Sequence, residues 1–537
     1  QWQRLLEDME YVSNENKPYF LGSVILKQQP TQTGSGTGDK RTVIDGQQRL
    51  TTLNIFFKVL CLKTNQDSRF ERVFKLINND IALWHNHNDI KAFNKILDLK
   101  VLEDISGDDN VTSAYSYFKE HLNPDKLDFN KILSNVLFVG IDLDEREDEQ
   151  QIFDTINSLG VKLTTAELLK NYFFNREEED LYKKYWENIF ETDDETKKYW
   201  DKEITTGRIR RTFIDLFFWA YLQIKIQEPS LKVKTEDKIE FSKVETLFDS
   251  YKNFIKNYSV DKKDILEEIK IYAELFGKNF NYEIIEQELT ADFGIERINA
   301  IIFGLETSTL IPYVLYVLKN TQNSQVQQNE LFEVLESYLM RRMVIRADTK
   351  NYNQLFTDRL IQNEILSKQK FIDFFESQEG LINSFPNNNK LKEGFDEATL
   401  INKQSAGILY FIESKLRNER DSTRLLGISK YSLEHLMPKK WENNWGKIND
   451  KEKRDFRNWK LLTLGNLAII TQSLNSSIRD ANWKTKKKGK DKKGGLKLYS
   501  SGIKTLIPYL ELEQWNEEEI QKRANFLYEE ALKIWKK

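Results

Sequence analysis

Val43-Ile44-Asp45-Gly46-Gln47-Gln48-Arg49-Leu50-Thr51-Thr52 reads as the end of a strand, a glycine turn and the start of a helix. Leu50, Leu53, Phe57 and Leu60 then recur at helical spacing. A helix N-terminus presents free backbone N–H groups and a partial positive charge, a setting that phosphates favour. Gly46 lets a ligand approach the backbone closely. Arg49 adds a forked donor that matches phosphate geometry. Asp45 is suited to hold a metal, to orient a hydrogen bond, or simply to cap the helix.

Around this turn the N-terminal part reads as mixed α/β. Tyr19–Leu26 is a β-forming run, Thr31–Asp39 a Gly/Thr/Ser-rich connection, and Arg41–Ile44 a second strand. Val136–Leu143 is a further strand, and Glu149–Phe174 predicts two helices broken at Ser158-Leu159-Gly160. From about 181 to 400 the pattern is helical. Phe213, Leu216, Phe217, Ala220, Tyr221 and Ile224 form one core stripe; Leu331, Val334, Leu335, Tyr338 and Leu339 form another. Pro386-Asn387-Asn388-Asn389 reads as a loop. From 401 the structure turns mixed again, with a helix over Ala406–Arg417, a strand at Tyr431–Glu434 and a β-rich Leu461–Thr471 broken at Gly465-Asn466. The expected class is α+β, predominantly helical, in three parts: 1–180, 181–400 and 401–537.

The string Asp45-Gly46-Gln47-Gln48-Arg49-Leu50-Thr51-Thr52-Leu53, preceded by Tyr19-Phe20-Leu21-Gly22-Ser23, resembles the DGQQR-box domain of GmrSD-type, modification-dependent restriction enzymes. That resemblance implies a ParB/sulfiredoxin-like domain that binds and hydrolyses a nucleoside triphosphate. Phe153-Asp154-Thr155-Ile156-Asn157-Ser158-Leu159-Gly160, Leu163-Thr164 and Glu167-Leu168-Leu169-Lys170-Asn171 are similar to a second family box, with Glu167 where Asp is usual. Asp45, Gly46, Gln47, Gln48, Arg49, Asn157 and Lys170 are the nucleotide-binding candidates. Within that box Asn157 and Gly160 also suit the end of one helix and Thr164 the start of the next. Family members carry a Tyr-Gln-Arg…Trp segment upstream, whereas this sequence opens at Gln1-Trp2-Gln3-Arg4 and reads as cut from a longer product.

A second constellation lies near the C-terminus. Glu434-His435-Leu436-Met437-Pro438 is followed by Gly465-Asn466-Leu467, Asn475, Trp483 and Lys486. Phosphodiester hydrolysis needs a base for water, a cation at the scissile phosphate and cations along the backbone. His435 supplies a base near neutral pH. Glu434 and Asn475 offer hard oxygen ligands suited to Mg²⁺ or Mn²⁺. Asn466 is placed to hold the imidazole through its side-chain or backbone carbonyl. Residues 479–497 hold eight lysines, and Lys484, Lys486, Lys487 and Lys488 suit DNA backbone contact. These pieces resemble the HNH (ββα-metal) nuclease domain fused downstream of DGQQR-box domains. The resemblance implies a catalytic His435, an assisting Asn466, and Glu434 and Asn475 as metal ligands. Arg341-Arg342, with Asn353 and Phe356, is similar to another family segment and suits DNA contact, interdomain packing or capping.

Composition narrows the choices. Net charge is −4 from 80 basic and 84 acidic residues, so nucleic-acid binding must come from a local basic patch. Cys61 is the single cysteine, which excludes a disulfide scaffold and a cysteine-rich zinc site. Of the four histidines, His85 and His87 read as surface residues. The longest uncharged run of the apolar middle, Thr307–Leu318, falls short of the ~20 residues of a membrane span. No signal peptide is legible, and a cytoplasmic location is expected. The expectation is a defence endonuclease: nucleotide-regulated sensing of modified phage DNA, then metal-dependent cutting of double-stranded DNA. A homodimer would account for double-strand cleavage from single-metal sites. The rivals are a nucleotide-gated DNA clamp and an RNA-cleaving nuclease.

Overall fold

In a computed structural model the described residues are 2–15, 17–29, 40–76, 78, 80–85, 90–107, 109–143, 164–174, 178–206, 209–378, 382–417, 423–490, 493–499 and 502–537. The connection 31–39, His87 and the box around Asn157 lie outside them. The chain divides into two compact units, Gln1–Lys162 and Leu163–Lys537.

The first unit carries a three-stranded sheet in which Tyr19–Gln28 is the central strand, flanked by Arg41–Asp45 and Val136–Leu143. Strand β1 (Tyr19–Gln28) pairs antiparallel with β2 (Arg41–Asp45) and parallel with β3 (Val136–Leu143). A parallel neighbour needs a long crossover, and here helices fill it. The helix Gln47–Lys63 is its centre. Thr51 and every residue from Leu53 to Leu62 are buried, so this helix is wrapped on all sides. Phe56 and Phe57 pack edge-on against Phe118 and Phe129. Burying such a ring is worth about 1.5–3 kcal/mol.

The second unit is dominated by helices, with small two-stranded sheets. Strands β4 (Glu203–Thr206) and β5 (Ile209–Thr212) form one hairpin. Strands β6 (Tyr431–His435) and β7 (Leu467–Thr471) form an antiparallel pair, and the helix Gln472–Ile478 follows β7 directly. The two apolar stripes expected as core faces, in the helices Phe213–Lys225 and Gln325–Val344, are buried. Thr164 caps the helix Thr165–Phe173 with a full capping box in which Glu167 returns the bond to the Thr164 N–H. Glu167 in place of Asp is thereby accommodated.

The boundary expected near residue 400 lies inside the second compact unit, Leu163–Lys537. One hydrophobic core runs from Ala166 to Trp535. The cause is long-range bonding by the helix Gln325–Val344. Arg341 Nε donates to the Trp535 carbonyl at 2.7 Å, Ser337 Oγ to the Lys536 carbonyl at 2.5 Å, and Trp535 Nε1 to Glu336 at 3.2 Å. Arg342 gives its donors to the carbonyls of Ile382 and Asp348 and to Tyr352 Oη. Packing and capping are therefore the role of the Arg341-Arg342 pair. Arg297 and Glu336, both buried, meet at 2.7 Å beneath this junction.

Candidate functional site

The first-unit site is built on the bend between β2 and the following helix. Gly46 is the N-cap, at a left-handed φ of 97°. A Cβ there would lie 2.9 Å from Val24 Cγ2, so only glycine fits without movement. Asp45 is not the cap; its carboxylate instead accepts from Arg49 Nη2 at 3.0 Å, and Arg49 Nη1 donates to the Ser23 carbonyl at 2.7 Å. The fork thus ties the strand β1 to the turn. Gly22, at φ 120°, makes room for the guanidinium, which a Cβ would strike. The first intrahelical bond runs from Leu50 N to the Gly46 carbonyl. The backbone N–H groups of Gln47, Gln48 and Arg49 therefore point out of the helix start.

One further side chain joins this site. His85, expected at the surface, is half-buried: its ring meets Thr51 Oγ1 at 3.0 Å and lies 5.2 Å from Phe93. Gly22 was visible in the string before the box, but the need for it shows only once Arg49 folds over it. Lys170 lies in the second unit and is tied to Glu191 at 3.0 Å.

The second-unit site stands on β6, β7 and the helix after them. His435 pairs with Leu467, Glu434 with Ala468 and Ser432 with Ile470. Asn475 Nδ2 donates to Ser432 Oγ and to the Leu433 carbonyl, both at 3.0 Å. A backbone carbonyl only accepts, so the amide orientation is forced. The carbonyl oxygen of Asn475 is left out of both bonds.

His435 is largely covered. Burial, followed by the Lys439 and Lys486 charges, pushes its imidazole down to about 4, so it is neutral near pH 7. Asn466 is fully buried. Its Oδ1 accepts from Met437 N at 2.8 Å and Trp515 Nε1 at 2.9 Å; its Nδ2 donates to the carbonyls of Met437 and Leu461 at 2.8 Å. Its own carbonyl accepts from Leu436 N at 2.9 Å. The expected grip on the imidazole is replaced by a grip on the two residues that follow His435.

Arg523 reinforces this turn. Its guanidinium is buried and donates to the carbonyls of Gly465 and Leu467, at 2.9 and 2.6 Å, and of Thr505 at 3.0 Å. Neither Trp515 nor Arg523 carries a local sequence signal, because both reach the turn from distant elements.

Two of the four lysines expected on DNA face inward. In the helix Trp483–Lys488, Trp483, Lys486 and Lys487 share one face, at i, i+3 and i+4. Buried Trp483 donates to the Leu512 carbonyl at 3.0 Å and turns that face into the core. Lys486 Nζ pairs with Glu434 and donates to the His435 carbonyl at 2.7 Å, and Lys487 Nζ donates to the Leu512 carbonyl. Lys486 and Lys487 are therefore spent on the core and not on DNA, against expectation, whereas Lys484 and Lys488 are exposed.

The expected metal ligands fit unequally. The side chains of Glu434 and Lys486 are 6% and 0% exposed. Burial pushes the Glu434 carboxyl up, against the pull of Lys486, and pushes Lys486 down. Glu434 is therefore already compensated by a cation, whereas the Asn475 oxygen is available. Among the described residues, no group of three or more His, Cys, Asp or Glu side chains gathers as a metal cluster. No helix of the described residues is long and apolar enough to cross a membrane.

Residues 1–174 match the family model of the GmrSD restriction endonuclease N-terminal domain, and residues 385–530 match that of the GmrSD restriction endonuclease C-terminal domain. No curated protein matches the chain. The Gly46 turn falls inside the first match and His435, Asn466 and Asn475 inside the second, in the order the two models have in their names; the chain belongs to the GmrSD restriction endonuclease family.

Proposed function

We propose that this protein is an endonuclease that cuts modified double-stranded DNA in defence against phage, with His435 as the general base. The observation that carries the reading is the placement of the His435 imidazole on β6, beside the helix that carries Asn475 and within the matched C-terminal domain. A neutral imidazole can accept a proton from water as that water attacks phosphorus. Asn466 keeps the residues after His435 in place while this happens. Mg²⁺ or Mn²⁺ would be held by the Asn475 carbonyl oxygen and water, and when bound it supplies charge neutralisation at the phosphate. Exposed Lys484 and Lys488 hold the DNA backbone.

For the N-terminal unit we propose nucleoside triphosphate binding at the Gly46 turn, with hydrolysis coupled to modification sensing. Three outward N–H groups in the first helical turn support that reading. The Arg49 fork is engaged with Ser23 and Asp45, so its part is to hold the turn in shape.

The deciding experiment pairs modified and unmodified phage genomic DNA with Mg²⁺ and a nucleoside triphosphate, with His435→Ala alongside. Selective cutting of modified DNA, lost in the variant, is the expected result. Equal cutting of both DNAs removes modification sensing. Tight, salt-sensitive binding without cutting favours a DNA clamp, a second reading that the compensated Glu434 carboxylate keeps in view. Cutting of RNA in preference to DNA moves the activity to an RNA nuclease.

A further inference from the structure

We infer that Arg479 is a contact for a backbone phosphate of the DNA, held beside Asn475 by a turn whose conformation its own side chain opposes. The inference rests on the nuclease reading and adds a substrate contact to the same site.

Arg479 ends the helix Gln472–Ile478 at φ 38° and ψ −128°. Its N–H reaches back to the Asn475 carbonyl at 3.2 Å, and Ala481 N donates to the Ile478 carbonyl at 3.1 Å. Ile478 to Ala481 thus close a turn, with Arg479 in its first central position. A positive φ with ψ of about −120° at that position belongs to a type II′ turn, where glycine is the usual residue. Lys232, at φ 49° and ψ 41°, shows the left-handed helical geometry that side chains do enter. Arg479 lies outside it, so its Cβ carries strain that glycine would relieve.

Another segment holds the turn closed. Asn444 Nδ2 donates to the Asp480 carbonyl at 2.9 Å, Asn443 Nδ2 to the Asp480 carboxylate at 3.3 Å, and Trp445 Nε1 to the Ala481 carbonyl at 3.0 Å. These donors lie on the segment that follows His435 and Lys439, anchored by buried Trp441. Arg479 is therefore bonded on one side to the helix of Asn475 and sits, on the other, in a turn tied to the segment that leaves His435. Its side chain is exposed. Nε donates to the Ser476 carbonyl at 3.1 Å, and among the described residues neither Nη1 nor Nη2 has a partner and no carboxylate pairs with the guanidinium. Two adjacent arginine N–H donors match two oxygens of one phosphate. Exposed Lys484 follows in the next helix, Trp483–Lys488. A strained backbone that sets an unpaired fork beside the reacting groups is the arrangement expected where a residue is kept for a ligand.

The test uses the full chain and a fluorescein-labelled DNA duplex without divalent ion, in the parent, Arg479→Gly, Arg479→Ala and Arg479→Lys. Affinity is read by anisotropy over a series of salt concentrations, and thermal midpoints are measured in parallel. Arg479→Gly and Arg479→Ala are both expected to bind about three- to tenfold more weakly and to lower the slope of log K against log salt by about one. Arg479→Lys is expected to keep the slope and lose part of the affinity, because the charge stays and the fork goes. Only Arg479→Gly is expected to melt above the parent, by about 1–3 °C, since alanine keeps the opposed Cβ. Higher stability together with weaker DNA binding in one variant separates a ligand contact from a purely structural arginine. Affinity and slope unchanged in Arg479→Gly and Arg479→Ala would overturn the inference. So would a lower midpoint in Arg479→Gly, or a parent that binds no duplex. A parent that binds the duplex but cuts nothing once Mg²⁺ is added defeats the nuclease reading alone, since the salt slopes still decide what Arg479 touches.

Discussion

Asn466 Oδ1 and Trp515 Nε1 meet at 2.9 Å inside the core, and the same oxygen takes the Met437 N–H at 2.8 Å. One amide thereby joins three chain segments at the residue pair that follows His435. Asn466→Ala leaves two donors and two carbonyls without this partner. An unmet buried polar group costs about 1–3 kcal/mol, so the variant is expected to lose several kcal/mol and to lose cleavage with it. Trp515→Phe removes one bond and keeps the ring, so a loss of about 1–2 kcal/mol is expected. Urea denaturation of both variants checks the order.

The imidazole of His435 is held down at about 4 by burial and then by Lys439 and Lys486, against an ordinary value of 6.5. Between those two values the unfolded chain binds more protons than the folded one. Stability therefore rises with pH across that window and is lost as pH falls from about 6.5 toward 4. His435→Gln is expected to flatten that part of the profile. In proton NMR, the resonance that disappears in His435→Gln is expected to titrate well below the ordinary 6.5. A midpoint near 6.5 would refute the buried placement of the ring.

Gly46 sits at φ 97° with Val24 Cγ2 in the way of a side chain. Gly46→Ala is expected to destabilise the first unit by about 1–3 kcal/mol. Arg49→Lys loses the fork that spans the Ser23 carbonyl and Asp45, and an ammonium cannot restore both bonds in that planar arrangement. Nucleotide affinity is expected to fall in both variants, read by equilibrium binding of a fluorescent triphosphate. Unchanged affinity in both would remove the Gly46 turn from the nucleotide site.

Exposed Lys484 and Lys488 and enclosed Lys486 and Lys487 make opposite predictions for DNA binding. Removing one lysine from a phosphate lowers the salt slope by about one. Lys484→Ala/Lys488→Ala is expected to lower the slope of log K against log salt by up to about two and to leave the fold intact. Lys486→Met is expected to lower the melting temperature with little change in slope.

Arg297 and Glu336 form an ion pair with both side chains enclosed. Removing one partner of such a pair costs about 3–5 kcal/mol. Glu336→Gln also disturbs the Trp535 Nε1 bond, which ties the last residues to the helix Gln325–Val344. The expected outcome is a lower denaturation midpoint of the whole second unit in one transition. Separate melting of the helical middle and the C-terminal region would contradict the shared core.

Much of this protein was determined locally. The DGQQR string set the strand, glycine turn and helix, since a left-handed φ and a start of apolar helical spacing are written within a few residues. The core stripes of Phe213–Lys225 and Gln325–Val344, the Val136–Leu143 strand and the Thr164 cap were legible for the same reason. The order Glu434-His435, Gly465-Asn466, Asn475 placed the second site on a strand, a turn and a helix. Tertiary structure alone decided what those side chains do. Asn466 holds backbone because Trp515 and Met437 close on it, and Lys486 faces Glu434 because Trp483 anchors its helix face inward. It also joined the middle and C-terminal regions, through Arg341 and Trp535. A charged or amide side chain reads as surface in sequence; enclosure becomes favourable only where distant segments supply its partners, and those partners are visible only after folding.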